Sequence, residues 1–212
     1  MHEPFHFYTE SHLVRLLGLK ARNTLELLEG MKKVPASSIY YHTHRFLQQH
    51  HYLSPEPPND FAYWLANILN LKQLAEAFAS VDTVDFKNME ELRAEFIGIL
   101  ESYPVKNVVD CPEGQEFHFM ACKTFILPVQ YVAHNLREFA DILRRVSVNS
   151  LYFHIFESRM RLERDENDFQ AWFRSIGENE LAQRLSRLDP YTITLESLRG
   201  QILEMVMKYA EH

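Results

Sequence analysis

The stretch Ser37-Ser38-Ile39-Tyr40-Tyr41-His42 decides the fold, because the chain carries a second version of it. The second version is Asn149-Ser150-Leu151-Tyr152-Phe153-His154, at an offset of 112 residues. At this offset the segments 5–42 and 117–154 align without a gap, and ten of their 38 positions are identical. Such self-similarity predicts two structural units of the same kind within one chain.

The repeat continues toward the end of the chain. The segment 59–64 aligns with 167–172 after a four-residue deletion, and Tyr103 aligns with Tyr209. We therefore predict a first unit at 1–103, a linker at 104–114 that contains two prolines and a glycine, and a second unit at 115–212. Paired copies of one unit favour a pseudo-two-fold arrangement, so we expect the two units to pack as one compact body.

The repeated motifs resemble those of a known family. The first unit carries Asn23, Glu26, Val34-Pro35, Ser38 to His42, Asn59 to Trp64 and Leu92-Arg93. This pattern is similar to a family of bacterial proteins catalogued only as a domain of unknown function, whose units have the form N-L-R-E-L, V-P-x-x-S-I-Y-Y-H, N-D-F-x-x-W, L-A-x-x-L and L-E-x-L-R. The second unit departs from it at Ser147 and Phe153. The resemblance covers nearly the whole chain and implies a tandem duplication but no particular activity.

Helix signals dominate both units. Asn23 followed by Glu26 predicts a helix N-terminus with its capping partner, and Asn59 or Asp60 predicts another before an apolar face of period 3.6. We therefore predict a mostly α, all-α class of fold with about five helices in each unit. A short extended segment opens each unit at 5–8 and 117–120, and the residues that follow are ambiguous. Leu13, Val14 and Leu17 have helical spacing there, but the second copy has Pro128.

Composition excludes several classes of function. The net charge of −7 argues against a general nucleic-acid binder, which needs a basic surface. The two cysteines do not form a disulfide framework, which favours a reducing, cytoplasmic setting. The N-terminus has no signal-peptide pattern, and no run of about 20 apolar residues is present to span a membrane.

Polar and aromatic residues kept in both units form the main candidate binding set. Histidine can act as an acid or base, aspartate can orient it, and tryptophan and tyrosine can stack on a flat or sugar-like ligand. The alternative is a histidine of the core that is hydrogen bonded to an aspartate which caps a helix. In either case we predict that each histidine lies beside its own aspartate. The set comprises Tyr40, His42, Asp60 and Trp64 in the first unit and Tyr152, His154, Asp168 and Trp172 in the second.

Two further candidates occur only in the first unit. His50 and His51 lie beside the four-residue insertion and are candidate binding residues of a loop. His42-Thr43-His44 would place two imidazoles on one face of a strand, which is a familiar opening of a hydrolase metal site, but not on one face of a helix. The second unit has Phe156 in place of His44.

These observations favour a cytoplasmic helical binding or regulatory module over an enzyme. Its partner would be a small ligand or a protein, with no nucleic acid, membrane, cofactor or metal, and a homo-oligomer is compatible with the sequence. The reaction, if any, stays unknown, and no catalytic residue is identified. The alternative is a metal-dependent hydrolase that uses His42 and His44.

Overall fold

The structure is a computed structural model that describes residues 2–45, 58–83, 86, 88–103, 108–158, 166–188 and 193–210. The element order in the second half repeats that in the first. The first half contains β1 (Phe5–Ala21), α1 (Thr24–Lys33), α2 (Ala36–Tyr40), the π-helical turn π1 (Tyr41–Arg45), α3 (Asp60–Asn67), α4 (Lys72–Ala79) and α5 (Met89–Ser102). The second half contains β2 (Phe117–Ala133), α6 (Leu136–Leu143), α7 (Val148–Tyr152), π2 (Phe153–Glu157), α8 (Asp168–Ser175), α9 (Asn179–Leu185) and α10 (Leu195–Ala210).

The prediction of a mostly α, all-α fold is wrong. Of the residues that the structure describes, 56% are helical and 19% are in strands. The extended openings expected over four residues are strands of 17 residues each, and β1 and β2 pair as a two-stranded antiparallel sheet. The helical spacing of Leu13, Val14 and Leu17 therefore does not mark a buried helix face. Leu13 and Val14 are exposed on β1, and Leu17 is half-buried.

Pro128 lies inside strand β2 rather than at a helix break. Proline lacks an N–H donor, so it is excluded from central strands but tolerated on edges. Each strand of a two-stranded sheet is an edge, so the nitrogen of Pro128 can face away from β1 without loss of a ladder hydrogen bond. A proline that argues against a helix is therefore compatible with this strand.

The predicted helix starts are confirmed. The Asn23 side chain accepts a hydrogen bond from the Glu26 N–H at the start of α1, and the Asn59 side chain accepts one from the Ala62 N–H at the start of α3. These caps satisfy N–H groups that have no partner within the helix. Of the described helices, none is both long and apolar enough to cross a bilayer.

The chain divides into two compact units, one of which combines the two ends of the chain. The central unit consists of residues 12–123, and the terminal unit consists of residues 1–11 and 124–212. Each strand therefore begins in one unit and ends in the other. The sequence boundaries at 103 and 115 and the packing of both halves into one body stay predictions.

Each unit completes its core with the first three residues of the strand from the other sequence repeat. We call these residues, 5–7 and 117–119, the strand heads. Phe117 and Phe119 of β2 belong to the core of the central unit, together with Leu27, Ile39 and Phe61. In the terminal unit, Phe5 and Phe7 of β1 join a core formed by residues 133–206. All four of these strand phenylalanines are buried. The strand heads are thus exchanged between the two repeats.

The exchanged strand packs closely against Gly30 of α1. A Cβ atom at Gly30 would overlap the Phe119 ring, whereas a Cβ at Gly98 in α5 would meet nothing within 4 Å. Gly30→Ala should destabilise the protein by about 1–3 kcal/mol despite the better helix propensity of alanine, because the ring must move. Gly98→Ala should stabilise it by up to about 1 kcal/mol. Urea unfolding of both variants measures the difference, and equal stabilisation would contradict this packing.

Candidate functional site

His42 connects a helix start to the exchanged strand of the central unit. Its Nδ1 lies 2.7 Å from Oδ2 of Asp60, the first residue of α3. Its Nε2 accepts a hydrogen bond of 2.9 Å from the backbone N–H of Met120 in β2. The predicted pairing of His42 with Asp60 is therefore confirmed, and the strand contact adds a partner that the sequence did not indicate.

The two contacts determine the tautomer of His42. A backbone N–H can only donate, so Nε2 must present its lone pair to Met120 and Nδ1 must carry the proton. The Nδ1–H then donates to the Asp60 carboxylate. The imidazole in this arrangement is neutral, and protonation of Nε2 would break its bond to the strand.

Burial and the aspartate act on His42 in opposite directions. Its side chain is 3% exposed, whereas that of Asp60 is 31% exposed. Burial lowers the pKa of His42 and outweighs the hydrogen bond and charge of Asp60, which raise it. The neutral form required by the strand contact is therefore also the form that the buried environment favours.

Trp64 holds the chain just before the same strand. Its indole Nε1–H donates to the carbonyl oxygen of Gln115 at 2.7 Å. Between the two hydrogen bonds, the Phe117 ring packs against His42 and Trp64, with ring centroids 4.7 and 5.7 Å away. We call His42, Asp60 and Trp64 the central strand clamp.

The terminal unit contains the equivalent set, His154, Asp168 and Trp172, which we call the terminal strand clamp. Nδ1 of His154 lies 2.8 Å from Asp168 Oδ2, and its Nε2 accepts from the Tyr8 N–H at 2.9 Å. Trp172 Nε1–H donates to the Glu3 carbonyl at 3.0 Å. The His154–Asp168 pairing is confirmed as well, and each clamp holds one backbone group of an exchanged strand and one that lies two residues before it.

Tyr40 and Tyr152 do not join the clamps. Tyr40 stacks on His44 with centroids 5.7 Å apart and planes at 5°, and Tyr152 stacks on Phe156 at 4.7 Å and 11°. His44 therefore occupies the position that a phenylalanine fills in the other repeat. Burial lowers the pKa of His44 from 6.5 to about 4, although a hydrogen bond with the Thr83 backbone acts in the opposite direction.

The geometry does not favour the alternative reading, a metal site at His42 and His44. His42 and His44 lie on a π-helical turn rather than a strand. Both nitrogens of His42 are engaged by Asp60 and Met120, and Nδ1 of His44 lies 3.0 Å from Thr43 Oγ1. Over the described part of the chain, no three His, Cys, Asp or Glu side chains lie close enough to hold an ion.

The remaining predicted residues do not extend the site. His50 and His51 fall at 46–57, outside the described residues. Two surface depressions contain none of the predicted binding residues. They are lined by Glu180, Gln183, Arg184 and Arg187, and by Asn135, Leu136, Arg137, Tyr209 and Ala210.

Comparisons with known proteins give a family for the chain and no activity. A family model described as a family of unknown function, DUF5752, matches residues 2–207. The chain belongs to the DUF5752 family. It is also similar to the solved structure of OrfY from Thermoproteus tenax, with a TM-score of 0.82 and 25% identity over 100% of this chain and 99% of that one. No curated protein matches the DUF5752 chain.

Sequence reasoning missed the backbone partners of the clamps. The N–H groups of Tyr8 and Met120 belong to the segments predicted as extended, whereas the carbonyls of Glu3 and Gln115 lie two residues before those segments. The identical Phe-His-Phe triplets at 5–7 and 117–119 indicated a shared role for these segments. They did not indicate which repeat each segment would join, because both copies present the same residues.

The clamps should stabilise the fold. His42→Ala and His154→Ala should each lower the free energy of unfolding by about 1–3 kcal/mol, because each leaves a strand N–H and an aspartate without the imidazole. His118→Ala is the control, since His118 is exposed on β2 and should leave stability unchanged. Chemical denaturation measures all three. Unchanged midpoints in both clamp variants would contradict a structural role.

His44 should make the protein sensitive to acid. The unfolded chain takes up the proton near pH 6.5 and the folded chain only near pH 4, so stability present above pH 6.5 is lost as the pH falls to about 4. At about 1.4 kcal/mol per pKa unit, the loss is up to about 3 kcal/mol. His44→Phe, which copies Phe156, should reduce this loss. Urea unfolding from pH 7 to 4 measures it, and an unchanged pH profile would contradict it.

Proposed function

We propose that this protein is a protein-binding module that contacts its partner through the exposed apolar residues of its β-strands. The observation that carries the proposal is the location of these residues. Of the 13 large hydrophobic residues exposed in the described part of the chain, nine lie on β1 and β2. Exposed apolar surface of this kind is typical of sites where another protein binds.

The most exposed of these residues lie on β1. Leu13 is 63% exposed and Leu16 is 57% exposed. Apolar side chains left in water at this fraction contribute little to the fold of the chain itself. Their burial in a partner would contribute to binding.

The clamps support this proposal over a small-ligand site. His42, His154, Trp64 and Trp172 are buried, and the ring nitrogens of all four are hydrogen bonded to Asp60, Asp168 or backbone groups. Their polar atoms are therefore engaged in holding strands rather than directed at an open pocket. A ligand site made from the predicted set would have to displace these bonds.

We further propose a reducing, cytoplasmic setting. Cys111 and Cys122 do not form a disulfide, and Cys122 is buried. Cysteines outside disulfides are typical of proteins in compartments that keep thiols reduced.

Site-specific photo-crosslinking tests the proposed surface. A photoreactive amino acid at Leu13 should form protein adducts in living cells on irradiation, because this residue would lie in the contact. The matched control is Leu25, which is 49% exposed but belongs to helix α1 rather than to a strand. Adducts are detected as higher-mass bands on denaturing gels and assigned by mass spectrometry. Absence of adducts at Leu13, or equal yields at Leu25, would contradict the proposal.

A further inference from the structure

We infer that the terminal unit contains a peptide-binding site whose ligand is an extended segment of the pattern Phe-x-Phe. The chain's own segment 3–8 fills this site in the structure. A segment of the same pattern in another polypeptide can take its place. This site is separate from the exposed strand residues of the proposed function, because it is formed by buried side chains of the terminal unit.

The segment 3–8 reaches its site from a distant part of the chain. Apart from residues 1–11, the terminal unit is the continuous stretch 124–212. Three hydrogen bonds between the segment and this stretch join residues that are 142 to 169 positions apart. None of these contacts needs a covalent link between the two partners. The stretch therefore holds the segment in the way that a protein holds a peptide.

The terminal unit recognises the backbone of the segment. The Trp172 indole donates to the Glu3 carbonyl at 3.0 Å, and the Tyr8 N–H donates to His154 Nε2 at 2.9 Å. The hydroxyl of Ser150 donates to the Tyr8 carbonyl at 2.6 Å. Backbone groups of this kind are present in almost any sequence, so these bonds fix the extended path while side-chain pockets supply the selectivity.

Two alternate side chains of the segment enter an aromatic pocket. The Phe5 ring lies 5.5 Å from the Phe139 ring and 5.4 Å from the Phe169 ring, between centroids, and the Phe7 ring lies 5.4 Å from Phe139. Both phenylalanines are buried, whereas His6 between them is exposed. Successive residues of a strand point to opposite faces. The pocket therefore selects Phe-x-Phe and leaves the middle residue open.

The central unit repeats this recognition with different neighbours. Its clamp holds the carbonyl of Gln115 and the N–H of Met120, two residues before and one residue after the strand head 117–119. The groups held in the terminal unit have the same positions relative to the strand head 5–7. The residue after the strand head is Tyr8 in one copy and Met120 in the other. Both copies thus share a backbone path and a Phe-x-Phe triplet.

The attached segment competes with any free peptide. Attachment to the same chain gives it an effective concentration on the order of millimolar, so a free peptide of the same sequence should displace it poorly. Loss of the Phe5 and Phe7 rings removes the apolar contacts of the attached segment and leaves space in the pocket. A free peptide that still carries both rings should then bind in preference.

Peptide binding to the full-length Phe5→Ala/Phe7→Ala variant tests the inference. The probe is a fluorescently labelled peptide of residues 2–10, His-Glu-Pro-Phe-His-Phe-Tyr-Thr-Glu. Its anisotropy should show saturable binding to the variant, about tenfold or more tighter than to the wild type. The peptide should also raise the melting temperature of the variant. Adding Trp172→Phe to the variant should weaken binding several-fold, because the bond to the Glu3 carbonyl is lost.

Two altered peptides provide the matched controls. A peptide with His6→Ala should bind like the original, because this side chain is exposed, whereas a peptide with Phe5→Ala should bind about tenfold or more weakly. If the double variant does not fold, the single variant Phe5→Ala takes its place, and the peptide should restore the helical circular dichroism of an unfolded variant. Absence of binding and of restored folding, equal binding of the Phe5→Ala peptide, or binding that Trp172→Phe leaves unchanged would overturn the inference.

Discussion

A neutral imidazole that bridges a strand and a helix start is the interaction on which each unit depends. Because the strand N–H can only donate, His42 must accept at Nε2 and donate at Nδ1, and Asp60 is placed to receive that proton. The aspartate lies at a helix N-terminus, where a negative charge is favoured. Because the strand N–H is the donor, the histidine must be neutral with its proton on Nδ1. The same hydrogen bond holds the strand in place.

The clamp is common to both repeats, whereas several residues around it differ. His44 and Phe156 fill the same stacking position, and Gly30, which admits the Phe119 ring, aligns with Ile142. These differences alter packing and acid sensitivity but leave the hydrogen bonds from histidine to strand intact. A polar residue present in one repeat alone is therefore not evidence of a specialised site, since His44 is buried in an aromatic stack.

Local chemistry could be predicted from the sequence, whereas pairing across the chain could not. Asn23 and Asn59 cap their helices as expected, because a cap depends on a few neighbouring residues. The pairing of His42 with Asp60 could be inferred because both occur in matching places in each repeat. The length of the strands was underestimated because Leu13, Val14 and Leu17 have helical spacing, although Leu13 and Val14 are exposed and Leu17 is only half-buried. The exchange of strand heads had no sequence signal, since Phe5 and Phe117 are the same residue in the same context.

The exchange also sets an order of events for a chain made from its N-terminus. Phe5 and Phe7 are synthesised first, but the core that buries them is formed by residues 133–206 near the other end. At about 5–20 residues per second, these rings wait on the order of ten seconds for their core on the ribosome. The central unit needs Phe117 and Phe119, which emerge directly after its own helices. The central unit can therefore form during translation, whereas the terminal unit closes only when the chain is nearly complete, and its first strand must stay unaggregated until then.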